Sequence, residues 1–141
     1  MTEDTRKAIL EAALEIVGES GFEKLTIRAI AERAGIGIGT VNYHFGSKSK
    51  AIAEAYRFVT SELRSAFKAL EDESADPATR LRAFADRFSE TVHAHGAALA
   101  FFAANGSRDD APPEYREYAL GEGLELTLRV MRGIDPGVDT R

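Results

Sequence analysis

No cysteine occurs among the 141 residues, which excludes disulfides, thiolate metal sites and cysteine nucleophiles. There is also no run of about 18 apolar residues, the length a membrane-spanning helix needs. The opening stretch MTEDTRKAIL places acids early and has no apolar h-region. No secretion signal is therefore expected, and a cytoplasmic location is the simplest expectation. Strand-type alternation, internal repeats and low-complexity segments are missing too. No Ser/His/Asp order, phosphate loop or paired-carboxylate pattern stands out, so neither an enzymatic activity nor a cofactor is expected. His93 and His95 form an H-x-H pair with Glu90 one turn before His93. Residues two apart on a helix face different directions, so two solvated histidines near a helix end are a simpler reading than a metal site.

What is present is an ordinary globular composition, 44% hydrophobic and 29% charged. The length suits one compact unit or a small head on a helical body. The net charge of −5 argues at first against a nucleic-acid partner. Its distribution argues the other way. Residues 24–57 hold six basic side chains (Lys24, Arg28, Arg33, Lys48, Lys50, Arg57) against Glu32 and Glu54, a local +4, whereas residues 58–141 hold ten basic and fifteen acidic residues, a local −5. A basic segment inside an acidic chain fits a DNA-reading head on a different kind of body, with chance clustering as the alternative.

The apolar spacing is helical throughout. Ile9, Ala12, Ala13, Ile16 and Val17 form one stripe, with Asp4 or Thr5 as the expected N-cap and Gly18 or Gly21 as the terminator. A short second helix follows Thr26 and turns Ile27, Ile30, Ala31 and Ala34 inward, with Gly35 suited to the left-handed position that closes it. A third, from about Ile38, is expected to bury Ile38, Val41 and Phe45. Ser47 then caps a long fourth helix bearing Ile52, Ala55, Tyr56, Val59, Leu63, Ala66, Phe67 and Leu70. After the break at ESADPATR, Asp76 caps and Pro77 opens a fifth helix, expected to end near Gly96. Ala97 to Ala104 reads as a separate short helix stopped by Asn105-Gly106. Pro112-Pro113 opens a last one reaching about Met131, and the tail GIDPGVDTR is turn-like. The expected fold class is all-α: a three-helix head joined by a long fourth helix to a helical, regulatory body.

The segment TIRAIAERAGIGIGTVNYHF, residues 26–45, has what a helix-turn-helix requires: two short helices packed through a tight, glycine-bearing turn. With Ile38, Val41 and Phe45 inward, Gly39, Thr40, Asn42, Tyr43 and His44 face out. That set contains no acid. Thr40 can offer a hydroxyl or a methyl to a base and Asn42 can pair with adenine, while Tyr43 and His44 can donate to phosphates. The next helix starts Ser47-Lys48-Ser49-Lys50. Its free N–H groups and positive dipole end favour a phosphate, which would explain lysines where the macrodipole otherwise disfavours them. The alternative is that both are solvated surface residues.

Residues 6 to about 60 resemble the DNA-binding domain of the tetracycline-repressor (TetR) family. The resemblance is carried by the Gly21-Phe22 corner, Thr26, Ala34-Gly35, Gly39-Thr40, Tyr43-His44-Phe45 and Ser47-Lys48. It implies a DNA-binding domain over residues 1–50 and a ligand-binding and dimerisation domain over residues 51–141. It implies DNA-facing roles for Thr26, Arg28, Thr40, Asn42, Tyr43, His44 and Lys48. Tyr43 and Lys48 are then phosphate contacts, and Thr40, Asn42 and His44 candidates for base edges. Asn42 stands where an aromatic is frequent, which could shift base preference. Ser49 stands where Glu is common, which weakens the capping box.

In that family the second half holds an effector and forms the dimer. Here it is expected to be shorter than the family's, without room for both dimer helices, so that either the sequence is a truncated or compact variant or the dimer forms differently. Phe84, Phe88, Phe101, Phe102, Tyr115 and Tyr118 beside Ala97, Ala98, Ala100, Ala103 and Ala104 could line a pocket for a small apolar or aromatic effector, or could fill a core. The reading that results is a homodimeric repressor on a palindromic operator with half-sites about 34–36 Å apart. A ligand-independent DNA-binding or assembly module, and a small-molecule-binding or catalytic helical protein with a vestigial head, are the alternatives.

Overall fold

The computed structural model describes residues 2–105, and among them there is no strand. Five helices follow in order: α1 (Glu3–Ser20), α2 (Ile27–Ala34), α3 (Ile38–Phe45), α4 (Lys48–Lys68) and α5 (Pro77–Asn105). Single 3₁₀ turns at Phe22–Lys24 and Ala69–Glu71 follow α1 and α4. The all-α expectation holds over these residues. The expected last helix, with Tyr115 and Tyr118, lies outside the described residues.

Local chemistry sets most of the boundaries. Thr26 and Ser47 cap α2 and α4, their hydroxyl oxygens accepting from the Ala29 N–H at 3.0 Å and the Lys50 N–H at 3.1 Å. Asp76 does the same for α5, taking the Ala78 and Thr79 N–H groups at 3.1 Å. The cap of α1 is Thr2, ahead of the expected Asp4 or Thr5, and its hydroxyl oxygen accepts from the Thr5 N–H. Gly35 closes α2 at φ +67°, a left-handed conformation open to glycine at little cost.

α1 is the centre of the described residues. Ile9, Ala12, Ala13, Ile16 and Val17 are buried as its stripe predicts, but so are Leu10 and Leu14, which widen that stripe to more than half of the helix. The wide apolar arc exists because α1 packs against α2, α4 and α5 at once. Leu25, Ile30, Val41, Phe45, Ile52, Ala55 and Val59 complete the core around it, together with Ala98 and Phe102 from α5. The expected division at residue 50 falls inside the first turn of α4.

The largest correction concerns α5, which runs unbroken for 29 residues through Gly96 where two helices were expected. A glycine inside a helix costs roughly 1 kcal/mol relative to alanine. Burying Phe102 alone returns about 1.5–3 kcal/mol, so continuation wins. Nothing between Pro77 and Asn105 forces a stop. As a result His93 and His95 lie in mid-helix and not at a C-terminal end. His93 is exposed, and the half-buried His95 sets its ring edge-on to Phe58 at 6.0 Å.

α5 reaches α1 unusually closely. A Cβ built on Gly18 would lie 2.9 Å from both the Ala97 Cβ and the Ala98 backbone nitrogen. Glycine on one helix and alanines on the other therefore set the separation. Next to this contact, Phe101 packs edge-on to Phe22 at 4.7 Å and Phe102 to Tyr56 at 5.0 Å.

Candidate nucleic-acid interface

The helix pair α2–α3 is held from behind. Val41 and Phe45 are buried under α3, and Ile30 and Ala31 under α2. Arg33 forks onto α1, its guanidinium donating to Glu19 at 2.9 and 3.0 Å and to Glu15 at 3.2 Å. Arg6 bridges α1 to Glu54 of α4, which also takes Arg57 at 3.0 Å. These contacts fix α2 and the start of α4 on α1, so that α3 is presented on a rigid base.

The Arg33 hydrogen bonds hold the Glu19 carboxyl below the usual carboxylate range. The Ser74 and Thr79 hydroxyls do the same for Asp72 and Asp76. A depressed carboxyl pKa contributes stability above its unfolded value, and that contribution is lost as pH falls through the folded value. Thermal melts from pH 7 downward are expected to stay level to about pH 5 and then to fall. Arg33→Gln should remove part of that acid-side slope while leaving the neutral-pH profile flat.

On the outer side, Thr40 and Asn42 are exposed and Tyr43 is 84% exposed, its ring edge-on to the half-buried His44 at 4.9 Å. These four share the outer surface of α3, as the sequence predicts. Thr26 lies exposed at the start of α2, where its oxygen is used by the cap but its hydroxyl hydrogen is left to donate. Arg28 is exposed and paired with Glu32 at 3.2 Å. An exposed pair of this kind is worth about 0–1 kcal/mol, so it yields readily to a phosphate. Lys48 is exposed at the first position of α4. With Ser47 occupied by the Lys50 N–H, the N–H groups of Lys48 and Ser49 have no intrahelical acceptor.

The charge pattern follows the same division. The first turns of α2, α3 and α4 contain no acid, whereas that of α1 contains Glu3 and Asp4. One expectation fails on this surface: Ile38, placed inside by its spacing to Val41 and Phe45, is 54% exposed. It sits at the first position of α3, one turn ahead of the buried Val41. Its neighbours Gly37 and Gly39 were the signal that this end of α3 carries little packing.

The residues expected to line an effector pocket fall into two groups. Phe84 packs tilted on Phe67 at 5.1 Å and Phe88 meets it edge-on at 6.3 Å, at the end of α5 away from the head. Phe101 and Phe102 pack at the head junction, Phe102 being 3% exposed in the core. The groups are about 20 Å apart along the helix, so the described residues do not bring them into one cavity. Tyr115 and Tyr118 lie outside the described residues. A separate open cleft of about 310 Å³ lies between α1, α4 and α5, with Lys7, Glu11, Glu62, Arg87, Glu90 and His95 among its walls. No helix among the described residues is long and apolar enough to cross a membrane.

Residues 9–55 match the bacterial regulatory proteins of the tetR family. The chain is 34% identical over 116 residues to the HTH-type transcriptional regulator BetI of Escherichia coli, the match covering 79% of this chain and 58% of BetI. It thus spans less than two thirds of the length of that relative. Among solved structures, the ketosteroid transcriptional regulator KstR2 of Mycobacterium tuberculosis superposes with a TM-score of 0.64 at 25% identity, over 99% of this chain and 75% of that one. A TetR-family member from Streptomyces coelicolor gives 0.62 at 24% identity, over 89% and 75%, and supports the fold. The matched stretch holds α2, α3 and the start of α4, the elements whose first turns contain no acid, and residues 9–55 form a DNA-binding head of the tetR family of bacterial regulatory proteins.

Proposed function

We propose that the chain is a sequence-specific DNA-binding transcription regulator, acting as a homodimer on a palindromic operator and released from it by a small-molecule effector. The observation that carries the DNA-binding part is the outer surface of α3, where Thr40, Asn42 and Tyr43 are exposed without an acid among them and Lys48 stands at the adjoining helix start. Thr40, Asn42 and His44 are assigned to base edges, and Thr26, Arg28, Tyr43 and Lys48 to the backbone. The exposed Leu81, Phe88 and Val92 on α5 are available for further packing of the body or for the second copy.

Release by an effector requires different affinities for two conformations. The close contact of α5 with Gly18 gives a body movement a direct route to α1 and the head. The cleft between α1, α4 and α5 carries charges of both signs and is a poor match for an apolar effector, whose site belongs elsewhere in the body. A regulator without any effector remains the second reading.

The test is selection of bound duplexes from a random DNA pool, followed by anisotropy titration of the winner across salt. An inverted repeat with a linear log–log salt dependence of several phosphate contacts is the expected result. Thr40→Ala and Asn42→Ala together should erase the preference for the selected site, each lost base contact costing about 1–3 kcal/mol. If no sequence is enriched, the DNA-binding reading fails. If no candidate small molecule both raises the melting temperature and weakens operator binding, the ligand-independent reading replaces the repressor one.

A further inference from the structure

We infer that Ile38 is a base-reading residue that recognises the 5-methyl group of a thymine in the major groove. The inference rests on the DNA-binding reading above and gives it a chemical specificity.

Among the described residues five large hydrophobics are exposed; Leu81, Phe88 and Val92 are on α5, and the two in the head, Ile38 and Tyr43, are both on α3. Tyr43 has a hydroxyl to direct at a phosphate. Ile38 has nothing polar to offer. At 54% exposure it contributes little to the core that holds Val41 at 0% and Phe45 at 2% on the same helix. Water is an unfavourable neighbour for a branched aliphatic side chain, so the position makes physical sense if something apolar covers it.

The backbone around it is bare. A Cβ at Gly39 would meet nothing within 4 Å, and one at Gly37 only the Thr40 hydroxyl at 4.0 Å. Neither packing nor, at Gly39, a left-handed φ asks for glycine, although glycine weakens an eight-residue helix. Two glycines therefore thin the N-terminal end of α3 and leave Ile38 and Thr40 as its projecting side chains, Ile38 being the apolar one, as a close approach to another surface requires. The first turn of α3 contains no acid to repel a phosphate backbone.

Base edges in the major groove are donors and acceptors, with one apolar exception among the standard bases: the thymine methyl. The N-terminal residues of a recognition helix are the ones that meet those edges. Ile38 and Asn42 are four apart and lie on the same side of α3, about 6 Å apart along its axis. Asn42 on adenine would thus set the thymine read by Ile38 about two base pairs away, given the 3.4 Å step along each strand.

The experiment uses the full chain and the duplex obtained by selection, with each thymine of the half-site replaced in turn by deoxyuridine, which removes the methyl and nothing else. At one position the wild-type protein should lose roughly three- to tenfold in affinity per half-site, the scale of one buried methyl group. Ile38→Ala should bind the thymine and uracil duplexes equally, with an unchanged salt slope and melting temperature, while Ile38→Val keeps part of the discrimination. If uracil is neutral at every position for the wild type, or if Ile38→Ala discriminates as well as the wild type does, the inference is wrong while operator binding stands. If no duplex binds at all, the DNA-binding reading falls and takes this inference with it.

Discussion

Phe102→Ala is expected to destabilise the chain by about 3–5 kcal/mol, within the range for deleting a buried aromatic ring. In a chain of this size that corresponds to a fall in Tm on the order of 10–20 °C. The ring is 3% exposed and meets Tyr56 edge-on at 5.0 Å and Phe22 at 6.1 Å, so its loss opens a void between α1, α4 and α5 that the neighbours cannot fill without moving. Collapse is further limited by Gly18 and Ala97, which already touch and prevent α5 from approaching α1 more closely. Phe88→Ala is the matched control. It stands on the same helix and packs against Phe67 and Phe84, but is 38% exposed and outside the central core. Its cost should be no more than about 1–2 kcal/mol, because much of the ring is already in water. Equal losses for the two variants would mean that α5 is not anchored through its head-proximal end.

The head was largely legible because its boundaries are written in local chemistry. Thr26, Gly35 and Ser47 each solve a backbone problem at a helix end, and the structure uses all three as the sequence predicts. α5 was not legible in the same way. Gly96 looks like a terminator, but an interior glycine costs only about 1 kcal/mol, and a neighbouring helix decides whether that is tolerated. The neighbour is α1, whose Gly18 meets Ala97 and Ala98 of α5 at close range. Periodicity names the side of a helix that faces inward, but not how far along the helix the core extends. Ile38 shows this limit most clearly: it lies on the side of Val41 and Phe45, yet one turn beyond the end of the core.

The same limit divides the candidate site residues. The outer surface of α3 could be read from a 3.6-residue period because Thr40, Asn42 and Tyr43 fall off the side held by the two buried anchors, Val41 and Phe45. The aromatics of the second half carry no such marker. Phe84 and Phe102 are both phenylalanines at helical spacing, and only the packing of α5 on α4 and α1 separates a half-buried stack near Phe67 from a core residue near Tyr56. An aromatic-rich helix is therefore weak evidence for a ligand cavity, whereas an acid-free recognition helix next to a lysine-bearing helix start is stronger evidence for a phosphate backbone.

Lys48→Glu separates folding from DNA binding most sharply, because the two should move in opposite directions. Position 48 is exposed, opens α4, and has no acid in the same turn. A glutamate there favours the helix dipole by about 0.3–1 kcal/mol, so the melting temperature should hold or rise slightly. DNA binding should collapse. Each phosphate contact contributes about 0.9 to the log–log salt slope, and a dimer would lose two at once and gain two repulsions. The expected loss is roughly a hundredfold or more near 0.1 M salt, with a salt slope shallower by about 2. Lys68→Glu changes the net charge equally at the other end of α4, about 30 Å away along the helix, and should cost far less. If the two variants weaken binding alike, the effect belongs to the overall charge of the chain and the α4 N-terminus is not a phosphate contact. If only Lys48→Glu does so, and its fold is at least as stable as before, the lysine is in place for DNA and not for the helix that carries it.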